Sequence, residues 1–129
     1  MKGRTRRRFG RALVAMLGSV PLWAQAQPAG APTFDSSSQV YRCVGGATLP
    51  VVYLNIQGGD SFATIYVNGR LALTRSGPTG SGANYYPVDE RVGYRWQVKG
   101  DLGTLWFRPA YPGARETAVL QDCKAQRAP

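Results

Sequence analysis

The sequence predicts an all-β domain, and three observations carry that prediction. Apolar residues recur in short runs with period-two alternation, and no stretch of the domain sustains a 3.6-residue period. Twelve of the sixteen glycines fall among those runs, at positions 45–113. Between two of the runs stands Asn68-Gly69, a strong hairpin signal, because a type I′ turn needs φ > 0 at both central positions. Seven or eight strands at this spacing close into an antiparallel barrel or stack as a sandwich.

The first 26 residues read as an address. Lys2, Arg4, Arg6, Arg7, Arg8 and Arg11 form a basic opening, residues 12–23 are largely apolar, and Ala24-Gln25-Ala26 is a small-x-small cleavage site. The apolar run is shorter than the roughly 20 residues a bilayer span requires. Thr5-Arg6-Arg7-Arg8-Phe9 resembles a twin-arginine export signal, while Gly10, in place of an apolar residue, fits general secretion equally. No cysteine lies near the cleavage site, so no lipid anchor or other stable membrane anchor is expected. Cleavage after Ala26 takes six of the 16 basic residues and no acidic one, so the formal charge falls from +9 to +3. That is too mild for a nucleic-acid-binding face.

Residues 27–38, rich in Pro, Ala, Gly and Ser, read as a flexible lead, and 39–123 as the barrel domain. Candidate strands cover 39–43 and 48–55. The hairpin 62–67 and 70–75 follows, with Val67 facing Arg70, Tyr66 facing Leu71 and Thr64 facing Leu73. Phe62, Tyr66, Leu71 and Leu73 are expected on its core side, and Ala63, Ile65, Val67 and Ala72 on the other. A second hairpin runs through 93–98 and 103–108, where Tyr94, Trp96 and Val98 alternate with Arg95, Gln97 and Lys99. The last strand is expected at about 116–122, and 124–129 form a tail.

Chemistry is excluded as much as suggested. The absence of histidine removes most general acid-base catalysis, Ser-His and Cys-His pairs and His-based metal sites. Asp89 and Glu90 are adjacent, so a strand would point them to opposite faces. A hydrolase, a metal centre and any cofactor are therefore not expected. Cys43 and Cys123, 80 residues apart in an exported chain, read as one disulfide. Trp96, Trp106, Phe107 and Tyr111 could stack a sugar, but in strands of a small domain they read as core.

Residues 76–84 (SGPTGSGAN) suit a projecting loop that lets a partner approach the backbone. Without a GK[ST] ending it is not a phosphate-binding loop; its bland reading is a solvated hairpin connection, as that of Lys99 is a surface charge. Tyr85-Tyr86 beside the loop are the aromatics expected to face a ligand.

Tyr41-x-Cys43, Val52-Tyr53-x-Asn55, Asn68-Gly69 with Leu73, Thr79-Gly80-Ser81-Gly82-Ala83-Asn84-Tyr85, Trp96-x-x-Lys99-Gly100-Asp101 and Cys123 together resemble the C-type lysozyme inhibitor family (MliC/PliC). The resemblance implies a small antiparallel eight-stranded β-barrel, exported as a lipoprotein or as a soluble periplasmic protein, the latter type here. It implies C-type lysozyme as partner, with Ser81 and Lys99 inserted into the cleft and Gly80, Gly82, Tyr85 and Gly100 around them. A retaining glycosidase cleft offers one protonated and one ionised carboxyl. A hydroxyl can serve both, and an ammonium meets the ionised one. Three departures from the family pattern stand out: Asn84 where it has arginine, Leu102 where it has an acidic residue, and 18 positions from Ser81 to Lys99, about four more than usual. One other reading stands beside inhibition, a barrel that binds peptidoglycan or another envelope glycan through Tyr85, Tyr86 and basic residues; a homodimer is a further partner option of the barrel.

Overall fold

A computed structural model describes residues 10, 15, 17–19, 30–89 and 93–127. The chain divides into two compact units, Met1–Gly30 and Ala31–Pro129. The basic opening and the cleavage site expected in the first unit lie outside the described residues.

The second unit is a closed antiparallel barrel in which eight strands pair in chain order: β1 (Phe34–Arg42), β2 (Thr48–Ile56), β3 (Ser61–Val67), β4 (Arg70–Gly77), β5 (Ala83–Pro87), β6 (Gly93–Lys99), β7 (Leu102–Arg108) and β8 (Thr117–Ala125). Of the two all-β architectures expected, the barrel is the one adopted. Closure joins the two end strands, so neither is left wholly unpaired on one side. The seam between β1 and β8 is brief, matching Tyr41 with Ala125 and Arg42 with Lys124. One residue beyond this ladder, Cys43 and Cys123 are bonded at 2.06 Å, so the disulfide continues the seam covalently.

Several sequence boundaries shift. β1 starts at Phe34, inside the expected lead, because residues 34–38 pair by backbone with Ile56 through Val52 while their side chains stay exposed. With neither face buried, such a ladder leaves no alternation in the side-chain pattern. β8 extends to Ala125, past the expected start of the tail. The projecting loop shrinks from 76–84 to 78–82, since β4 runs to Gly77 and β5 begins at Ala83.

The first hairpin has the expected register, with Asn68 at φ 50° and Gly69 at φ 73°, but its faces are reversed. Ala63 and Ile65 are fully buried, as is Thr74, whereas Tyr66, Leu71 and Leu73 are exposed. The barrel interior decides this. Trp96, Tyr41, Tyr53 and Tyr85 fill it from other strands, and a small barrel accommodates such bulk by setting small residues opposite. Ala63 and Ala72 fit there, and a second set of large side chains would not.

The second hairpin is as expected. Trp96 is fully buried, with Tyr94 and Val98 packed against the same core. Its ring lies on Gly103, where a Cβ would collide with the indole, and meets the Tyr41 ring edge-on at 4.9 Å. The Trp96 indole N–H donates to the Tyr53 hydroxyl at 2.8 Å, and the Tyr53 and Tyr41 hydroxyls share a hydrogen bond of 2.8 Å. Thr74 donates to the Ala63 carbonyl at 2.6 Å. Among the described residues no buried side-chain polar atom lacks a partner, the condition a polar group in a low-dielectric core must meet.

Candidate functional site

The connections β4–β5 and β6–β7 emerge at the same end of the barrel, because neighbouring antiparallel strands alternate in direction. The first carries Gly80, Ser81 and Gly82. The second is a two-residue turn, Gly100-Asp101, directly after Lys99. Strand register brings them together: Ala83 pairs with Val98, so Gly82 falls opposite Lys99. A Cβ on Gly82 would collide with the Val98 carbonyl oxygen and lie 3.2 Å from both Cα and Cβ of Lys99. Gly82 sits at φ 69° and Gly100 at φ 61°, left-handed conformations that glycine adopts at little cost.

Although 18 positions separate Ser81 from Lys99, the pairing of β5 (Ala83–Pro87) with β6 (Gly93–Lys99) through Ala83 and Val98 sets their turns side by side.

Ser81 and Lys99 are both exposed, and among the described residues neither side chain has a hydrogen-bond or ion-pair partner. The β6–β7 turn is anchored from behind, since the Ala125 N–H donates to the Asp101 carbonyl at 2.8 Å. Gly80 has open space around it. Leu102 is half-exposed beside the turn.

Tyr85 is placed differently from expectation. Period-two alternation along β5 turns Ala83 and Tyr85 inward and Asn84 and Tyr86 outward. Tyr85 is 9% exposed and lies 5.6 Å from the Tyr53 ring, and burial pushes its phenol above the usual tyrosine pKa. It belongs to the core and offers no contact surface. Tyr86 faces outward, but its ring lies over Gly77, stacks 6.0 Å from the Arg95 guanidinium and donates its hydroxyl to the Pro78 carbonyl at 2.9 Å. Tyr85 is therefore closed to sugar stacking, and Tyr86, half-buried, is packed by its own loop and by Arg95. Trp96 is core and Trp106 is taken up 5.1 Å from Arg95.

Sequence reasoning missed the support behind the loop. Asn84, 8% exposed, bonds both Thr79 and Arg95, and Arg95 pairs with Glu116. The alternation of Arg95 with Trp96 signalled only that Arg95 faces outward. Its partner on the approach to β8 lies 21 positions away. No group of three or more potential metal ligands occurs among the described residues.

Residues 41–112 match the family model described as membrane-bound lysozyme inhibitor of C-type lysozyme, MliC. A relative of the same description from Cupriavidus necator is 32% identical over 120 residues, covering 88% of this chain and 90% of its own length. Among solved structures, the Salmonella typhimurium periplasmic lysozyme inhibitor of C-type lysozyme superposes with a TM-score of 0.60 at 24% identity, over 71% of this chain and 99% of that one. Pseudomonas aeruginosa MliC, crystallised in complex with hen egg white lysozyme, gives a TM-score of 0.53 at 26% identity, over 78% of this chain and 91% of that one. With the barrel, its disulfide and the paired turns already in place, the match over most of the domain decides the family: the chain belongs to MliC, the inhibitors of C-type lysozyme.

Proposed function

We propose that this chain inhibits C-type lysozyme in the bacterial envelope by occupying the enzyme's cleft with Ser81 and Lys99. The observation that carries the reading is the contact of Gly82 with Lys99, which sets a hydroxyl-bearing turn beside an ammonium-bearing one. The two groups suit a cleft with one protonated and one ionised carboxyl. The Ser81 hydroxyl donates to one and accepts from the other, and the Lys99 ammonium pairs with the ionised one. A charge-assisted hydrogen bond in a partly dry groove contributes about 1.5–3 kcal/mol. No bond is cut, and the barrel excludes the glycan by bulk. The family's lysozyme-bound member and the inhibitor relatives support the same partner.

Residues 1–26 serve as the export signal, and the released chain works as a soluble periplasmic protein. Its net charge of +3 supplies no long-range attraction to a basic lysozyme, so affinity comes from local fit and association is slow for an inhibitor.

The test is a titration of the purified protein into a hen egg white lysozyme lysis assay, repeated with Ser81→Ala and Lys99→Ala. Each substitution is expected to raise the inhibition constant about tenfold or more while the melting temperature stays within a few degrees. Wild-type inhibition by both variants overturns the site, and no inhibition by the unaltered protein overturns the function. Retention of the protein on insoluble cell wall without lysozyme would favour the glycan-binding reading instead.

A further inference from the structure

A directed chain of hydrogen bonds tethers the Ser81 turn to an ion pair on the barrel's outer face. The Arg95 Nε lies 3.0 Å from both Glu116 carboxylate oxygens, and its Nη2 lies 2.6 Å from Oε1. Side-chain exposures of 15% and 21% mark the pair as mostly covered. The rings of Trp106 and Tyr86 flank the guanidinium at 5.1 Å and 6.0 Å. The Nη1 of Arg95 donates to Asn84 Oδ1 at 2.7 Å.

A guanidinium has donors only, so the Asn84 amide cannot be turned round. Its oxygen faces Arg95, and its NH2 group faces Thr79, donating to the hydroxyl oxygen at 3.1 Å. The hydroxyl proton of Thr79 then goes to the Ser81 carbonyl at 2.8 Å. Each donor direction follows from the cation at the start of the chain. Tyr86 adds a second tether through the Pro78 carbonyl.

We propose that Asn84 is a positioning residue whose amide, oriented by Arg95, holds the Ser81 carbonyl through Thr79 and so fixes the turn that presents the partner-binding hydroxyl. The proposal deepens the inhibitor reading, and its inhibitory readout rests on that reading. Asn84 itself is covered and does not need to touch the partner. Its effect is to lower the ordering entropy that the five-residue loop would otherwise lose on binding.

The decisive variant is Asn84→Asp, equal in shape but without a donor. The carboxylate keeps its bond to Arg95 and accepts from Thr79, whose hydroxyl turns toward it and releases Ser81. Expected results are inhibition of hen egg white lysozyme weakened about five- to tenfold, a melting temperature within a few degrees, and an NMR order parameter for the Ser81 amide falling from about 0.85 to below about 0.6. Thr79→Val, on the exposed loop, should reproduce this, and Thr79→Ser should restore both readouts. The proposal is overturned if Asn84→Asp leaves the Ser81 amide as rigid as before, or if Thr79→Ser is as mobile as Thr79→Val. Should the unaltered protein fail to inhibit, or Ser81→Ala inhibit normally, the inhibitor reading fails, and the order parameters still decide the tether.

Discussion

Gly82 rests directly on Lys99: a side chain at residue 82 would come within 3.2 Å of the lysine's Cα and Cβ and strike the carbonyl just before it. Two turns separated in sequence are thereby one surface. Gly82→Ala removes both the φ 69° conformation and the space, and is expected to cost about 1–3 kcal/mol. Lysozyme inhibition should fall with it, more steeply than for Gly80→Ala, where the space is open. Parallel thermal melts and lysis assays of the two variants check the contrast, and equal behaviour would contradict it.

Gly103 plays the corresponding role inside the barrel. Its missing side chain is the seat of the Trp96 indole, and a methyl there would overlap the ring. Overpacking a filled core costs about 1–3 kcal/mol. For a domain of this size Gly103→Ala should lower the melting temperature by roughly 5–20 °C. Calorimetry reads the shift directly.

Because the seam pairs only two residues on each side, the Cys43–Cys123 bond is expected to matter more than its place near the chain ends suggests. Its 80-residue separation corresponds to about 4 kcal/mol in the chain-entropy view of cross-links. Urea titrations with and without reductant, or of the Cys43→Ala/Cys123→Ala double variant, should show the midpoint falling accordingly. An unchanged midpoint would mean the barrel closes without it.

The buried phenols predict alkaline instability. Burial, followed by its hydrogen bond to Tyr41, holds the Tyr53 phenol far above the ordinary value of 10.0, and burial raises Tyr41 and Tyr85 as well. In the folded protein these three stay neutral while the unfolded chain ionises them from about pH 10. The folded state then holds more protons, so this contribution to stability is complete below pH 10 and is lost as pH rises beyond it. Spectrophotometric titration should show three of the seven tyrosines ionising only late or on unfolding. Tyr53→Phe should flatten the alkaline limb while lowering stability near neutrality, because Trp96 and Tyr41 lose their shared partner.

The family's motif residues and the strand pattern made the barrel, the two hairpins and the Ser81 and Lys99 turns legible in advance. Asn68-Gly69 set the register of the first hairpin, since a two-residue turn with φ > 0 at both positions admits one pairing. The same local information could not choose which apolar face of that hairpin turns inward, because both faces are apolar. Ala63 and Ile65 won over Tyr66 and Leu71 only once Trp96 and the core tyrosines had claimed the interior. Tyr85 and Tyr86 were alike in sequence, and the inward and outward turns of β5 separated them.

By itself, then, the sequence determined the all-β class, the disulfide partners and the glycine-lined turns, all properties of local conformation or of residue inventory. Tertiary structure alone decided that Gly82 meets Lys99, that Asn84 is covered and that Arg95 reaches Glu116. Those contacts depend on how strands are staggered around a closed barrel, and stagger is a collective outcome of packing one large indole and several phenols in a narrow interior.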